Sequence, residues 1–262
     1  MSPLRVDFAD TVALITGASG GIGRLLARRY ADRGARVALV ARRSDELNAT
    51  AAAVTEAGGE ALVLVADIRD EAQCAEAVAA TVARWGRLDV LVNNAAIPGI
   101  DQPVAEATVD NWNEVLATNL VAPMVLSREA LQQTMIPANS GNIQFLSSAA
   151  ARTVQPHKAH YAAAKLALSA LGQTLALEVG RTGIRVNTLV VGTVEGELVD
   201  RYVARRAAAD GTSQDEVRSG LARSTKIGRL ISPDEVADVS LWLASDAASA
   251  ITGQDINVTG GG

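Results

Sequence analysis

A glycine-rich turn between two apolar runs near the amino terminus constrains the fold of this chain more than any other feature. The apolar residues 12–16 are followed by Gly17-Ala18-Ser19-Gly20-Gly21-Ile22-Gly23, and a second apolar run occupies residues 36–41. A strand that ends in such a turn and opens a helix points backbone N–H groups at one place, where a pyrophosphate can approach closely. The pattern predicts a dinucleotide-binding βαβ unit. The glycine spacing departs from the GxGxxG form, and a tight turn without a ligand would leave the same pattern.

Apolar runs of this kind recur along the chain and alternate with helical segments. They are nearly continuous, as expected for parallel strands that are buried on both faces. Right-handed crossovers then give an α/β fold, a single-domain Rossmann-type doubly wound parallel sheet of about seven strands with helices on both faces. The first helix is predicted over 24–33, and Ser44 and Thr108 are predicted helix caps. The predicted strands are 12–16, 36–41, 61–66, 88–93, 142–147, 184–190 and 255–258.

Length, composition and charge favour one soluble domain over residues 1–262. The chain shows no linker or repeat, and 48% hydrophobic with only 3% aromatic residues indicates an aliphatic core. The net charge of −5 lacks the basic excess of a nucleic-acid binder, so nucleic acid is not an expected partner. Arg5, Asp7 and Asp10 argue against a secretory signal, and no uncharged run approaches the ~18 residues of a membrane helix. A cytoplasmic protein without membrane association is expected.

The metal-ligating residue types are too sparse to predict a metal site. Cys74 is the only cysteine, which excludes an intrachain disulfide, and it is expected to pack inside the helix after Asp70. His157 and His160 are the only histidines and lack further ligands nearby in the sequence.

A tyrosine and a lysine one helical turn apart suggest proton transfer. Tyr161 and Lys165 would share a helix face, so that the ammonium group favours the ionised phenol. Such a tyrosine can act as a general acid or base near neutral pH. The pair Ser147-Ser148 lies upstream at the end of an apolar run. The tyrosine–lysine spacing also occurs by chance on surface helices, so it does not decide the function alone.

Five separated motifs, taken together, make the chain resemble the short-chain dehydrogenase/reductase (SDR) family from about residue 10 to residue 261. They are the loop 16–23, Asp67, the stretch Asn93-Asn94-Ala95-Ala96 with Ala96 in place of a glycine, Asn119, and Ser148 thirteen residues before Tyr161. The resemblance implies an NAD(P)-dependent oxidoreductase that transfers a hydride between a nicotinamide cofactor and a small-molecule ketone or secondary alcohol. The alternative is a catalytically silent dinucleotide-binding sensor or assembly subunit. The intact catalytic set favours the enzyme.

The resemblance also implies the role of each catalytic residue. Tyr161 would be the general acid/base. Lys165, together with the positive nicotinamide ring of the oxidised cofactor, would lower the phenol pKa, and it would also hold the nicotinamide ribose. Ser148 would hydrogen-bond the substrate oxygen, whereas Ser147 is interpreted as a structural hydroxyl. Asn119 would bind a water through its backbone in a locally distorted helix. The implied cofactor contacts are Gly17, Ser19, Gly20, Gly21, Ile22, Gly23, Arg42, Asp67, Ile68, Asn94, Ala95, Tyr161, Lys165 and Val194.

The end of the second strand bears on the choice of cofactor. NAD-binding proteins place an acidic residue there, but this chain has Ala41, followed by Arg42 and Arg43. A guanidinium offers fork geometry to a 2′-phosphate, so NADP(H) is favoured, with NAD(H) left open. Both arginines could instead decorate a solvated turn. Gly20 weighs against NADP(H), because many NADP-using relatives carry Arg or Lys at that point.

The segment 193–226 departs from the family pattern and is predicted to be the substrate lid. Gly196 stands where a threonine is usual, a loss for which Thr193 could compensate, and a capping box beginning at Ser213 predicts a helix inside the segment. Glu195 and Glu197 suggest a polar or hydroxylated substrate. Further pocket residues are predicted at Ile97 and Pro98 and in the stretch 149–160. That stretch contains basic residues that suggest an anionic substrate instead: Arg152, His157, Lys158 and His160.

The predicted assembly is a homotetramer or homodimer. The resemblance implies interfaces made by the helix that carries Tyr161 and by the carboxyl-terminal strand. Leucines spread around that helix beyond one buried stripe, which agrees with contact to a second copy. They are Leu166, Leu168, Leu171, Leu175 and Leu177.

Overall fold

The computed structural model describes residues 7–262, so that Arg5 lies outside the described residues. Seven parallel strands form one sheet in the order β3-β2-β1-β4-β5-β6-β7, which confirms the predicted doubly wound fold. The strands are β1 Val12–Thr16, β2 Arg36–Ala41, β3 Glu60–Val65, β4 Val90–Asn93, β5 Gly141–Ser148, β6 Ile184–Val191 and β7 Asp255–Val258.

Ten α-helices connect the described strands. One long helical segment, 109–138, is interrupted by two π-helical turns, at Ala117–Val121 and Leu131–Met135. The helices are α1 Gly21–Ala31, α2 Ser44–Glu56, α3 Glu71–Trp85, α4 Val109–Leu116, α5 Ala122–Ala130, α6 Ile136–Ala138, α7 Ala159–Val179, α8 Glu197–Asp210, α9 Gln214–Arg223 and α10 Pro233–Ala244.

The helix starts correct two predictions and confirm two. Helix α1 begins at Gly21, three residues before the predicted start, because the glycine turn leads directly into it. Ser44 is the first residue of α2 and not its cap; its Oγ accepts from Asn48 in the next turn. Thr108 does cap α4, and Ser213 begins the predicted capping box of α9.

The core lies on both faces of the sheet. On one face, residues of α1 and α10 such as Leu26 and Leu241 pack on the strands; on the other, residues of α3, α5 and α7, including Leu126 and Leu168, do so. The strands β1, β2, β4, β5 and β6 are almost wholly buried, which explains their continuous apolar sequences, whereas the edge strands β3 and β7 are only partly buried. Cys74 is buried as predicted, with its thiol donating to the carbonyl of Ile68.

The reversal of strand order between β1 and β4 places the functional site. Helices that leave β1 and β4 in opposite directions open a crevice beyond the carboxyl ends of these strands. In the described part of the chain, no helix is long and apolar enough to cross a membrane.

Candidate active site

The glycine turn after β1 is tied to the segment after β4 by Thr16. Its hydroxyl oxygen accepts from the backbone N–H groups of Asn94 and Ala95, each at 3.0 Å. In return the Asn94 amide donates to the carbonyl of Thr16 at 2.7 Å. These three hydrogen bonds fix the distance between the two sides of the crevice.

Two glycines of the turn cannot carry a side chain. A Cβ atom on Gly23 would lie 2.3 Å from the Gly17 carbonyl oxygen, and one on Gly17 would lie 2.9 Å from the Asn94 amide nitrogen. Gly17 also adopts a φ of 68°, which favours glycine. The turn therefore brings bare backbone to the amino terminus of α1, where N–H groups suit a pyrophosphate.

The crevice is a cleft of about 990 Å³, near the upper end of small-molecule and cofactor sites. Every residue predicted to contact the cofactor, from Gly17 to Val194, lines this cleft. Ser148, Tyr161 and Lys165 line it as well. The bare glycine turn and the size of the cleft fit a dinucleotide.

Lys165 lies at the base of the cleft on α7. Its ammonium group donates to the carbonyl of Leu146 at 2.6 Å and lies 5.9 Å from the centre of the Tyr161 ring. The side chain is buried, and this burial lowers the pKa of Lys165 to about 8. The amine can therefore lose or gain a proton close to neutral pH.

The acidity of Tyr161 is set by burial and by one hydrogen bond. Burial raises the pKa of the Tyr161 phenol, and a hydrogen bond with Ser148 acts in the opposite direction. The ammonium of Lys165, 5.9 Å from the centre of the ring, donates to the Leu146 carbonyl. Ser148 is thus the neighbour whose hydrogen bond favours the phenolate of Tyr161, against the effect of burial.

Asn119 stands behind the cleft wall, whereas Ser147 is part of the lining. Asn119 is buried within the first π-helical turn, which agrees with the predicted local distortion. Its amide accepts from the N–H of Ile97 at 2.8 Å and donates to the carbonyl of Ile97 at 2.9 Å, so it fixes a residue that lines the cleft. The hydroxyl of Ser147 donates to the carbonyl of Lys165 at 2.7 Å, which attaches α7 to β5 and agrees with the structural interpretation of that serine.

The opposite end of the cleft carries three arginines. Arg69 donates to both carboxylate oxygens of Asp67, and this hydrogen bonding is the main reason that the pKa of Asp67 is lowered, with a smaller contribution from Arg42. Arg43 faces the glycine turn, where its guanidinium donates to the hydroxyl of Ser19. The sequence analysis weighed Arg43 with Arg42 for the choice of cofactor but predicted a contact only for Arg42, and it gave no role to Arg69, which follows the predicted contact Ile68.

Known proteins resemble this chain over nearly its whole length. Residues 17–262 match the family described as Enoyl-(Acyl carrier protein) reductase. Short chain dehydrogenase/reductase astE of Aspergillus oryzae is 38% identical over 258 residues, which cover 98% of this chain and 96% of the relative.

Two solved structures share the fold. NAD+-bound xylitol dehydrogenase superposes with a TM-score of 0.90 at 30% identity, covering 97% of this chain and 99% of its own. An actinorhodin polyketide ketoreductase variant with NADPH superposes with a TM-score of 0.91 at 35% identity, covering 96% of each chain. The chain belongs to the short-chain dehydrogenase/reductase family. It is an NAD(P)-dependent oxidoreductase that acts on alcohol and carbonyl groups.

In this SDR enzyme the first part of the segment 193–226, including the beginning of α8, lines the cleft; the rest of α8 and α9 do not. Val194 pairs with Ile231 as an isolated parallel bridge, and the Thr193 carbonyl accepts from the Ile231 N–H at 3.0 Å. Gly196 precedes α8 with a φ of 134°, a backbone conformation that a threonine would rarely adopt. The backbone conformation therefore accounts for the glycine at this position.

The basic residues between Ser148 and Tyr161 do not form the anion site that the sequence suggested. Arg152 pairs with Asp255, Lys158 pairs with Asp101, and His160 is buried. None of them, nor His157, is among the described residues that line the cleft, whereas Glu195 and Glu197 are. Within residues 7–262 no group of three or more His, Cys, Asp or Glu side chains could hold a metal ion.

Proposed function

We propose that this SDR enzyme interconverts a ketone and a secondary alcohol with Tyr161 as the general acid/base and with NADP(H) as the preferred cofactor. The observation that carries the proposal is the convergence of Ser148, Tyr161 and Lys165 on one wall of a cleft whose other wall is the bare glycine turn. A dinucleotide bound on the glycine turn and the phenol of Tyr161 would then share one cleft.

The protonation steps follow from the environment of each group. The bound nicotinamide supplies or accepts the hydride. Tyr161 keeps its proton at neutral pH, because burial raises its pKa, and so can donate it to a carbonyl oxygen as charge develops there. Ser148 stabilises the same oxygen and the resulting phenolate. Lys165, whose pKa burial lowers to about 8, returns a proton to Tyr161 after each reduction.

The preference for NADP(H) is supported by the end of β2. Ala41 brings no carboxylate to the position where a ribose 2′-hydroxyl would be recognised, and Arg42 and Arg43 both line the cleft there. One solved relative holds NAD+ and another NADPH, so the family fold itself accommodates either cofactor.

The substrate class follows from the side chains that Ile97 and the lid segment contribute to the cleft. Ile97 and Leu198 line the cleft as apolar groups, and Glu195 and Glu197 as hydrogen-bond acceptors. We propose a small hydroxylated or oxo substrate that presents apolar surface to the first pair and hydroxyls to the second. The xylitol dehydrogenase and polyketide ketoreductase relatives mark the two ends of this range. Segment 193–226 acts as the lid of a single catalytic domain over 1–262.

We further propose a homotetramer located in the cytoplasm. Leu166 and Leu177 on α7 are exposed, whereas Leu168 and Leu175 of the same helix are buried in the core, so the helix has apolar side chains on a second face. Met124 and Val121 of the helical segment 109–138 are also exposed apolar side chains. A second copy of the chain would cover these side chains. Light scattering that finds a monomer at all concentrations would contradict the assembly.

A substrate panel tests the function directly. Nicotinamide absorbance is followed with ketones, 3-oxoacyl thioesters, enoyl thioesters, sugars and polyols. Tyr161→Phe should lower turnover of the best substrate by at least ~10²-fold, the lower bound for loss of a positioned proton donor, with cofactor affinity unchanged. Tyr202→Phe on α8 makes the same chemical change outside the described cleft lining and serves as the control. Turnover of enoyl thioesters alone, or equal activity of Tyr161→Phe, would refute the proposed reaction.

A further inference from the structure

Arg201 on α8 is a cation of the cleft that has no partner. Arg43 and Arg69, which also line the cleft, pair with neighbouring carboxylates, and Lys165 donates to a backbone carbonyl. Within residues 7–262, no hydrogen bond or ion pair engages the guanidinium of Arg201. The residue is exposed, so its side-chain donors are accessible to a ligand that enters the cleft.

The contacts of the next helical turn show where Arg201 lies. Residues four apart share a helix face, so Arg201 and Arg205 lie on the same side of α8. Arg205 pairs at 3.5 Å with Asp101 in the loop after β4, and the same carboxylate pairs with Lys158, just before α7. Arg201 therefore stands on the stretch of α8 that runs from the cleft lining towards the start of α7, the helix of Tyr161.

Glu197 lies one turn before Arg201 on the same face of α8, yet the two side chains do not pair. Both line the cleft, and a glutamate four residues before an arginine is a favourable arrangement for an ion pair on a helix. Glu235 chiefly raises the pKa of Arg229, and Glu195, the other glutamate of this wall, adds to that rise, so Glu195 has a positive neighbour of its own. Glu197 and Arg201 remain as an acceptor and a donor that a ligand can bridge.

The chemistry of this pair defines its ligand. A guanidinium donates two parallel hydrogen bonds to a carboxylate, a geometry that neither a hydroxyl nor a ketone offers. The Glu197 carboxylate accepts from a hydroxyl, whereas it repels a second carboxylate placed beside it without a donor between them. A neutral polyol would satisfy Glu197 and leave Arg201 without a partner. A compound that carries both a carboxylate and a hydroxyl satisfies the two side chains together.

We propose that Arg201 binds a carboxylate of the substrate, with Glu197 accepting from a neighbouring hydroxyl, and that the enzyme selects hydroxylated acids over neutral polyols and ketones. This inference rests on the proposed function and narrows its substrate class. The carboxylate takes no part in hydride or proton transfer, so Arg201 acts on substrate selection and Tyr161 on the reaction.

Binding of matched acids and alcohols tests the assignment without turnover. D-Gluconate and D-glucitol differ only at one end, where a carboxylate replaces a hydroxymethyl group, and D-ribonate and ribitol form a second pair of this kind. With the enzyme saturated with NADPH no hydride acceptor is present, so calorimetry reports binding alone. The wild type should bind each acid at least about tenfold more tightly than its alcohol, the lower end of the range for a charge-assisted contact.

Variants of α8 locate the source of the preference. Arg201→Ala should abolish it, and Arg201→Lys should keep part of it, because an ammonium retains the charge but not the fork geometry. Arg206→Ala removes the same charge from the same helix outside the described cleft lining, where Arg206 pairs with Asp210, and should leave the ratio unchanged. A preference that persists in Arg201→Ala, or that Arg206→Ala reduces equally, refutes the role of Arg201.

The outcomes separate this inference from the proposed function. If the wild type binds acids and alcohols equally, or binds neither, the acid class is refuted, while turnover of other ketones or alcohols still supports the proposed reaction. If the acids bind through Arg201 but no ketone, alcohol or hydroxylated acid is turned over, the binding site stands and the proposed reaction fails. Tighter binding of the acids that depends on Arg201, together with their oxidation in the presence of NADP+, supports both.

Discussion

The ring of His160 holds the backbone of Pro98, with its Nε2 at 3.1 Å from the Pro98 carbonyl oxygen. His160 directly precedes Tyr161 and is buried against Trp112. Asn119 fixes the preceding residue, Ile97, by two hydrogen bonds. Buried side chains therefore hold two successive residues of the segment after β4, Ile97 and Pro98. One of these side chains, His160, is next in sequence to Tyr161.

Substitutions of His160 should change substrate binding more than stability. His160→Phe keeps a ring beside Trp112 but loses the hydrogen bond, and we expect the KM for the carbonyl substrate to rise about three- to tenfold, the equivalent of one hydrogen bond. His160→Gln retains a donor and should restore most of the loss. Steady-state kinetics and thermal melting of both variants separate the roles. A lower Tm without a change in KM would mean that His160 only stabilises the fold.

The buried Lys165 should make stability depend on pH in an unusual direction. Burial lowers its pKa from 10.5 to about 8, so between these values the folded chain holds fewer protons than the unfolded chain. Stability from this group therefore rises with pH through that window. Relative to the wild type, the free energy of unfolding of Lys165→Met should therefore be about 3 kcal/mol more favourable at pH 7 than at pH 10.5. Denaturant unfolding of both proteins at the two pH values measures the difference. If the free energies of unfolding of the two proteins change equally with pH, the Lys165 amine is not desolvated.

The contact between Gly23 and Gly17 predicts a destabilising substitution. A Cβ atom on Gly23 would overlap the Gly17 carbonyl, so Gly23→Ala should cost about 1–3 kcal/mol of unfolding free energy and weaken cofactor binding. Gly220→Ala in α9 meets only the Arg223 side chain at 4.0 Å and should be neutral or stabilising. Denaturant melts and cofactor fluorescence titrations compare the two. Unchanged binding by Gly23→Ala would contradict the close backbone approach.

An ion pair joins the lid segment to the loop after β4. Asp101 pairs with Lys158, just before α7, and with Arg205 of α8, each at 3.5 Å. Arg205→Ala should raise the substrate KM about two- to fivefold, because an exposed ion pair contributes up to ~1 kcal/mol. The effect should shrink at high salt.

A neighbouring arginine provides the matched control for the lid contact. Arg206 pairs with Asp210 inside α8, so Arg206→Ala removes the same charge without touching Asp101. We expect its KM to match that of the wild type. Equal effects of both substitutions would show that only the overall charge of the lid matters.

Local periodicity accounts for what could be predicted. The buried strands were found because strands covered on both faces are continuously apolar. Tyr161 and Lys165 were paired because helical residues four apart share a face. The start of β4 was placed two residues early, since Leu88 is buried like a strand residue. The structure begins the strand only at Val90, and the carboxylate of the preceding Asp89 accepts from the N–H of Val12.

The sequence by itself determined the parallel sheet, the glycine turn and the order of the catalytic residues, because each depends on neighbours within a few positions. Tertiary structure alone decided that Arg43 rather than Arg42 reaches the glycine turn, since the contact joins residues 24 positions apart. It also decided the pKa directions of Tyr161 and Lys165. Those shifts arise from desolvation, which depends on how completely other elements cover a side chain and not on the residues beside it in the sequence.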